Sequence, residues 1–388
     1  MKILHICLCG PMTDGWSYQE NVITKYQKKM DLDVTIIASK YVWNKKNQLV
    51  FFDRTNYVND DGVKVVRINN AFHTNVLSKF KIYTGLYDNI EKIKPNVLFI
   101  HGASFLDTYT IVKYLRNNPD TKVYVDNHND FSNSARNMLS KYILHKFLWR
   151  IMHRMLLPFT EKFYGVLPAR VDFLVDVYGI PSQKTDLLVM GADDEAVRKG
   201  MGKKGDIRRK YRIKDTDFLV MTAGKIDLYK KQTLLLMKAV KAINRDNVKL
   251  IIFGNIDKKI ENEFLKLCDN KLVKYIGWAE GNESYAFFSA ADLVVFPGRH
   301  SVYWEQVVGI GVPMICKHWP GTTHVDIGGN IRFLNEDSPE CIKKEILSLV
   351  DNPTEYEKMK MKANGKGKKR FLYSTIARQS IGYQNGDD

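Results

Sequence analysis

The sequence predicts an α/β protein built from two successive Rossmann-like halves, each with a parallel sheet. Three observations carry this. Short apolar runs alternate with longer segments of helical spacing, the alternation restarts after about residue 215, and 388 residues suit two domains at roughly 100–200 residues each. Hydrophobic residues make up 45% of the chain, enough for two cores.

In the first half, strands are predicted at Lys2–Leu8, Asp33–Ala38, Val63–Ile68, Val97–His101, Lys122–Val125 and Phe163–Leu167. The β-branched run Val34-Thr35-Ile36-Ile37 reads as a strand buried on both faces. Between the first two strands, Tyr18, Val22, Ile23 and Tyr26 recur at helical spacing within Ser17–Met30. Strand, helix, strand is the βαβ unit of a parallel sheet. The polar, glycine-punctuated segment Met201–Asp206 reads as a linker or flexible loop. In the second half, strands are predicted at Phe218–Ala223, Lys249–Phe253, Lys274–Ile276, Leu293–Phe296 and Pro313–Cys316. Helices are predicted at about Lys231–Ile243, Ser284–Ala290 and Glu305–Gly309. The domains are therefore 1–198, 199–370 and a tail, 371–388, whose helix crosses back to the first half.

A formal charge of +16 points to anionic partners: nucleic acid, a membrane surface or phosphorylated small molecules. The five cysteines are scattered and contain no CxxC, which fits free thiols in a reducing compartment. No signal peptide opens the chain and no apolar run reaches the ~18 residues a membrane span needs. The expected location is the cytoplasm.

Candidate chemistry sits after strands, where open α/β sheets bind ligands. Gly10–Asn21 follows the first strand. Gly15 would let backbone approach a phosphate or sugar, and Asp14 and Tyr18 are acceptor-side candidates. The run does not spell GxGxxG, so it carries no dinucleotide fingerprint. Gly224-Lys225 and Lys230 follow the first strand of the second half, and two lysines across a short loop suit a diphosphate. Pro297–Pro313 places Arg299, His300, Ser301 and Val302 before a helix with Ser301 as N-cap, an arrangement suited to phosphate. Glu305 or Gln306 is placed to accept from ribose hydroxyls. Asp126, His128 and Asp130 end a strand of the first half, with His128 as a sugar ligand and the aspartates orienting it or touching the acceptor. His318, His324 and Asp326 match no standard metal spacing, so no metal is expected. Arg136–Leu157 mixes basic and apolar residues and reads as an interior helix with one wet face or as a surface leaning on anionic lipid.

In this order the motifs resemble glycosyltransferase family 4 of the GT-B fold. Leu187–Asp193 looks like the family's "vipNGvD" turn, Gly224-Lys225 and Lys230 like its "GR…K" diphosphate clamp, and Gln306–Pro313 like its "EAmAcGvP" helix. The family's paired glutamates fall at Gly298 and Gln306, neither of which is a glutamate. Glu305 by a one-residue shift, or Gln306 itself, takes the ribose role, and Arg299-His300 replace the first glutamate.

The resemblance implies two Rossmann-like doubly wound domains facing each other across a cleft. It implies a metal-independent, retaining transfer of a hexose from a UDP- or GDP-sugar to a glycan or lipid-linked acceptor in polysaccharide or glycoconjugate assembly. His128, Lys225, Lys230 and Glu305 are the catalytic candidates. Gly15, Gly224, Arg299, His300, Ser301, Val302 and Gln306 are the donor-binding ones. No cofactor and no nucleic acid are expected, and a peripheral site on the inner membrane face suits the basic surface. The alternatives are a non-catalytic nucleotide-sugar-binding scaffold and a nucleotide-sugar epimerase.

Overall fold

The computed structural model describes the chain apart from residues 45, 73–79, 132–133, 135–139, 229, 280–281 and 384–388. At 140, 141 and 143 only the backbone is considered. Two compact units emerge: Met1–Val189 together with Ser374–Asp388, and Met190–Tyr373.

The first unit holds β1 (Lys2–Cys7), β2 (Asp33–Ser39), β3 (Tyr41–Trp43), β4 (Leu49–Phe51), β5 (Asn56–Val58), β6 (Lys64–Ile68), β7 (Val97–His101), β8 (Lys122–Asn127), β9 (Thr160–Gly165) and β10 (Thr185–Leu187). Its eight-stranded sheet runs β10-β9-β8-β7-β1-β2-β6-β5 and is parallel except for the β5–β6 edge, while β3 and β4 form a separate hairpin. Strands such as β7 are buried along their whole length, as expected where helices cover both faces. Phe105, Tyr114, Phe173 and Tyr178 pack with Leu98, Ile100, Val123 and Val125 in its core. The helix Tyr373–Ser380 returns to this unit through its last residues. Tyr164 donates to the carbonyl of Gln379, and Gln379 Nε2 donates to that of Leu187.

The second unit holds β11 (Phe218–Ile226), β12 (Val248–Ile256), β13 (Val273–Tyr275), β14 (Leu293–Phe296), β15 (Met314–Lys317) and β16 (Ile331–Leu334), all parallel in the order β13-β12-β11-β14-β15-β16. The helices Thr233–Ile243 and Pro339–Val350 cover one face, burying Leu236, Met237, Val240 and Ile346 against Leu250 and Ile252.

Two sequence expectations change. Met201–Asp206 is not a flexible loop. It joins the helices Asp194–Gly202 and Lys204–Lys210, and the first is capped by Asp193, which accepts from the N–H groups of Glu195 and Ala196. Gly200 lies against the backbone of Tyr285, where a Cβ would come within 2.7 Å, so the glycine serves helix packing rather than chain flexibility. The strand expected at Phe163–Leu167 runs Thr160–Gly165 instead, because Pro168 starts a helix and Val166-Leu167 lead into it.

Candidate active site

In the second unit the site forms at the carboxyl ends of β11 and β14. β11 runs three residues past its expected end, pairing Gly224 with Gly254 and Lys225 with Asn255. Gly254 has φ +134°, and a Cβ there would lie 2.0 Å from the carbonyl oxygen of Gly224. Only glycine permits that approach. Lys225 therefore stands on the strand end, with its side chain 71% exposed and Nζ 3.5 Å from Asp227 Oδ2.

The chain then folds back, with the Lys230 N–H donating to the carbonyl and side chain of Asp227. Lys230 is half-buried. Burial lowers its pKa, Asp227 opposes this, and the like charges of Lys225 and Arg299 lower it further. Gly298 faces the same lysine, since a Cβ on it would lie 3.7 Å from Lys230 Cα and 3.3 Å from Gln232 Oε1. The loop from β14 thus brings Arg299 to the Lys225–Lys230 turn.

The helix after this loop is Tyr303–Ile310, one residue later than an N-cap at Ser301 would start it. Ser301 Oγ accepts from the Tyr303 N–H, and the Ser301 carbonyl accepts from that of Trp304. Two of the N–H groups expected to face a phosphate are thus already engaged, and the N-cap is Val302 rather than Ser301. The ring of Tyr303 lies under Gly224 and against Phe288.

Glu305 does not reach a ribose. It is fully buried, and its Oε1 lies 2.7 Å from His300 Nε2 and 3.0 Å from His324 Nε2. Burial raises its pKa, but the two histidines outweigh burial and hold it down at about 2. Its other oxygen and His324 Nδ1 are buried with no hydrogen-bond partner. Gln306 is also buried, with Oε1 unpartnered.

His324 thus enters the site from a 3-10 turn, Thr323–Val325, rather than joining His318 and Asp326. The ring of His318 packs edge-on to Phe333, and Asp326 caps the N–H groups of Gly328 and Gly329. His300, Glu305 and His324 have ligand atoms within 4.8 Å of one another, a donor set of the kind zinc takes. The separations to Glu305 are hydrogen-bond lengths.

In the first unit the candidates divide. Gly15 has φ +74° with open space around it, so the turn, not a close approach, requires glycine. Asp14 is not presented to a ligand through Oδ2, which accepts from the buried Arg67 Nη2 at 3.0 Å and from the Tyr57 hydroxyl. Tyr18 precedes the helix Gln19–Lys28, and its ring lies 5.3 Å from that of Trp16, tilted by 45°. Asp130 is buried and paired with Arg170 Nε at 3.0 Å, so it pins the loop instead of touching an acceptor. Asp126 is fully buried, with Oδ2 2.8 Å from His101 Nδ1 and 3.4 Å from His128 Nε2. His128, its side chain 41% exposed, is the member of this group within reach of a ligand.

Residues 203–367, within the second unit, match the family model described as glycosyl transferases group 1, less than half of the chain. No curated protein sequence matches. Among solved structures, HepE of Anabaena in complex with UDP is similar at 14% identity, TM-score 0.69, over 98% of each chain. A glycosyltransferase from Rickettsia africae is similar at 12% identity, TM-score 0.68, over 97% of this chain and 96% of that one. A UDP-GlcNAc 2-epimerase from Neisseria meningitidis, bound to UDP-GlcNAc, is similar at 14% identity, TM-score 0.62, over 98% of each. At these identities the likeness is one of fold, and that fold is GT-B.

Proposed function

We propose that the protein is a glycosyltransferase that takes a sugar from a nucleoside-diphosphate sugar. The observation that carries this reading is the cation cluster at the ends of β11 and β14. Lys230 is held half-buried beside Lys225 and Arg299 despite their mutual repulsion. Clustered cations of this kind are stabilised by a bound polyanion, and a diphosphate supplies the charge and reach. The family match over 203–367 and the fold support the same reading.

In transfer, the bond from the anomeric carbon to the diphosphate oxygen breaks while one forms to an acceptor hydroxyl oxygen, whose proton passes to the departing diphosphate, and negative charge gathers on the leaving oxygen. Lys225, Lys230 and Arg299 offset that charge without the need for a metal. Glu305 holds the His300 ring at the edge of the cluster, so it acts through that histidine. On the first unit, His128 is the candidate sugar contact. The family-4 resemblance supports retention of configuration, and UDP is the first base to test because HepE was solved with it.

The acceptor reading is a lipid-linked or anionic glycan met at a membrane surface. The segment Ser140–Leu156, a π-helical stretch followed by an α-helix, exposes Tyr142, Leu144, Phe147 and Ile151 beside Lys146 and Arg154. Such a face suits anionic headgroups. No helix among the described residues is long and apolar enough to cross a membrane.

Likeness to the epimerase favours a second reading, isomerisation of the donor sugar. Incubation with a panel of UDP- and GDP-sugars, with products read by mass spectrometry and NMR, separates them. Diphosphate release that rises with an added glycan or lipid acceptor is expected. An isomerised sugar formed without acceptor would overturn the transferase reading.

A further inference from the structure

Behind His128 lies a polar chain that the proposed reaction does not use. Strand register creates it. β7 and β8 set His101 opposite Asp126, β1 and β7 set His5 opposite Phe99, and Phe99 shares a sheet face with His101 two residues on. His5, His101 and Asp126 therefore line up on one face of a dry sheet, all buried. His5 Nδ1 is 2.9 Å from His101 Nε2, and His101 Nδ1 is 2.8 Å from Asp126 Oδ2. At the other end His5 Nε2 is 2.6 Å from Gln27 Oε1, and Gln27 Nε2 donates to Ser380 Oγ at 3.0 Å.

The direction of every bond follows from the far end. The single hydroxyl proton of Ser380 goes to the carbonyl of Ala377 at 2.7 Å, so Ser380 accepts from Gln27. That orients the Gln27 amide, whose oxygen then faces His5. His5 must donate through Nε2. A proton must also lie between His5 Nδ1 and His101 Nε2, and another between His101 Nδ1 and Asp126, because bare lone pairs repel at these distances. Two neutral imidazoles and a carboxylate carry only two protons, and the three contacts need three.

We propose that His5, His101 and Asp126 form a buried relay holding one proton more than neutral imidazoles and a bare carboxylate would carry, with His101 as the positioning residue for His128. The extra proton rests on His101. Burial lowers the basicity of His101, but the charge and hydrogen bond of Asp126 outweigh it and raise its pKa. His5, deprived of water and beside that cation, falls to about 3 and stays neutral. Asp126 stays ionised in the core because His101 and His128 more than offset its burial. Its Oδ2 can then serve both histidines. Glu20 and Cys7 are the other titratable groups in electrostatic reach of the relay, and Arg67 and Asp14 act on Cys7. The protonation state stands apart from the enzymatic assignment, whereas the positioning role rests on placing His128 in the transfer site.

The test is 15N NMR of the full chain with labelled histidine, assigned with single-histidine variants. At about pH 7, just above the ordinary histidine pKa of ~6.5, His101 is expected with both ring nitrogens protonated and His5 with Nε2–H alone. In Asp126→Asn the amide turns its NH2 to His101 Nδ1, so His101 becomes a neutral Nε2–H ring. His101→Asn is expected to lower kcat on the order of tenfold with donor KM nearly unchanged, and to shift the pH profile. A neutral His101 in the natural protein at that pH would overturn the relay. A doubly protonated His101 in the natural protein together with unchanged kcat in His101→Asn would overturn the positioning role, and unchanged activity in His128→Ala would instead count against placing His128 in the transfer site.

Discussion

Asp126 in the first unit and Glu305 in the second are both fully buried carboxylates whose oxygen is approached by two histidines. Their surroundings differ in one respect. His101 has a second obligatory partner in His5, so its cluster must carry an added proton. His324 Nδ1 has no partner, and His300 and His324 each reach Glu305 Oε1 through Nε2, so the hydrogen bonding there requires no added proton. Two histidines around a carboxylate therefore require an added proton in the first unit and require none in the second. What decides between them is the second nitrogen of each ring.

The comparison breaks most visibly on truncation. Asp126→Ala strips the partner from a buried imidazolium and is expected to cost roughly 3–5 kcal/mol of stability in urea titration. Asp126→Asn, whose NH2 can donate to a neutral His101, is expected to recover most of that. Equal loss in the two variants would mean that the carboxylate's charge, and not its hydrogen bond, holds the cluster.

The two clusters also answer pH in opposite directions. His101 has a raised folded pKa, so its contribution is complete below ~6.5 and is lost as pH rises through the folded value. Glu305 has a lowered one, so its contribution is complete above ~4.3 and is lost as pH falls toward about 2. His5, lowered to about 3, adds a second acid loss between ~6.5 and that value. Thermal unfolding across pH in Asp126→Asn and Glu305→Gln should remove the alkaline slope from the first and part of the acid slope from the second.

A smaller effect sharpens the contrast. Glu305→Gln keeps an acceptor for both histidines and is expected to destabilise less than Asp126→Ala does. It loosens His300 and should weaken diphosphate binding by up to about tenfold in calorimetry. If EDTA weakened binding in the natural protein as much as Glu305→Gln does, a metal at His300, Glu305 and His324 would replace the hydrogen-bonded description. The smallest effect is at the surface: Phe147→Ala with Ile151→Ala should lower sedimentation with anionic vesicles severalfold and leave donor binding unchanged.

Sequence periodicity made most of the fold legible. β14 appears as an unbroken apolar run and β2 and β7 as largely apolar ones, while Lys225 and Lys230 are placed by β11 and His128 by β8. Short or polar strands left no such signal. β5 (Asn56–Val58) and β10 (Thr185–Leu187) are edge strands of three residues, and β16 opens on Ile331-Arg332. The cap at Asp193, whose side chain begins the helix Asp194–Gly202, is written in the sequence as an acidic residue ahead of a helical run. The buried clusters were legible only in part. His5 inside an apolar strand and His101 at a strand end are visible in the sequence, but their meeting depends on register, which period-two patterning leaves open in strands buried on both faces. Glu305 and Asp14 sit where ligand contacts were expected. Their capture by His300 with His324, and by Arg67, is a matter of tertiary packing.

The central claim is a diphosphate site built from Lys225, Lys230 and Arg299. Titration calorimetry of the full chain with UDP and GDP, beside Lys225→Ala/Lys230→Ala, tests it most directly. Binding of one diphosphate in the micromolar range, lost in the double variant while its thermal unfolding is unchanged, is the expected result. No binding of either nucleotide to the natural protein, or equal binding to the variant, would contradict it.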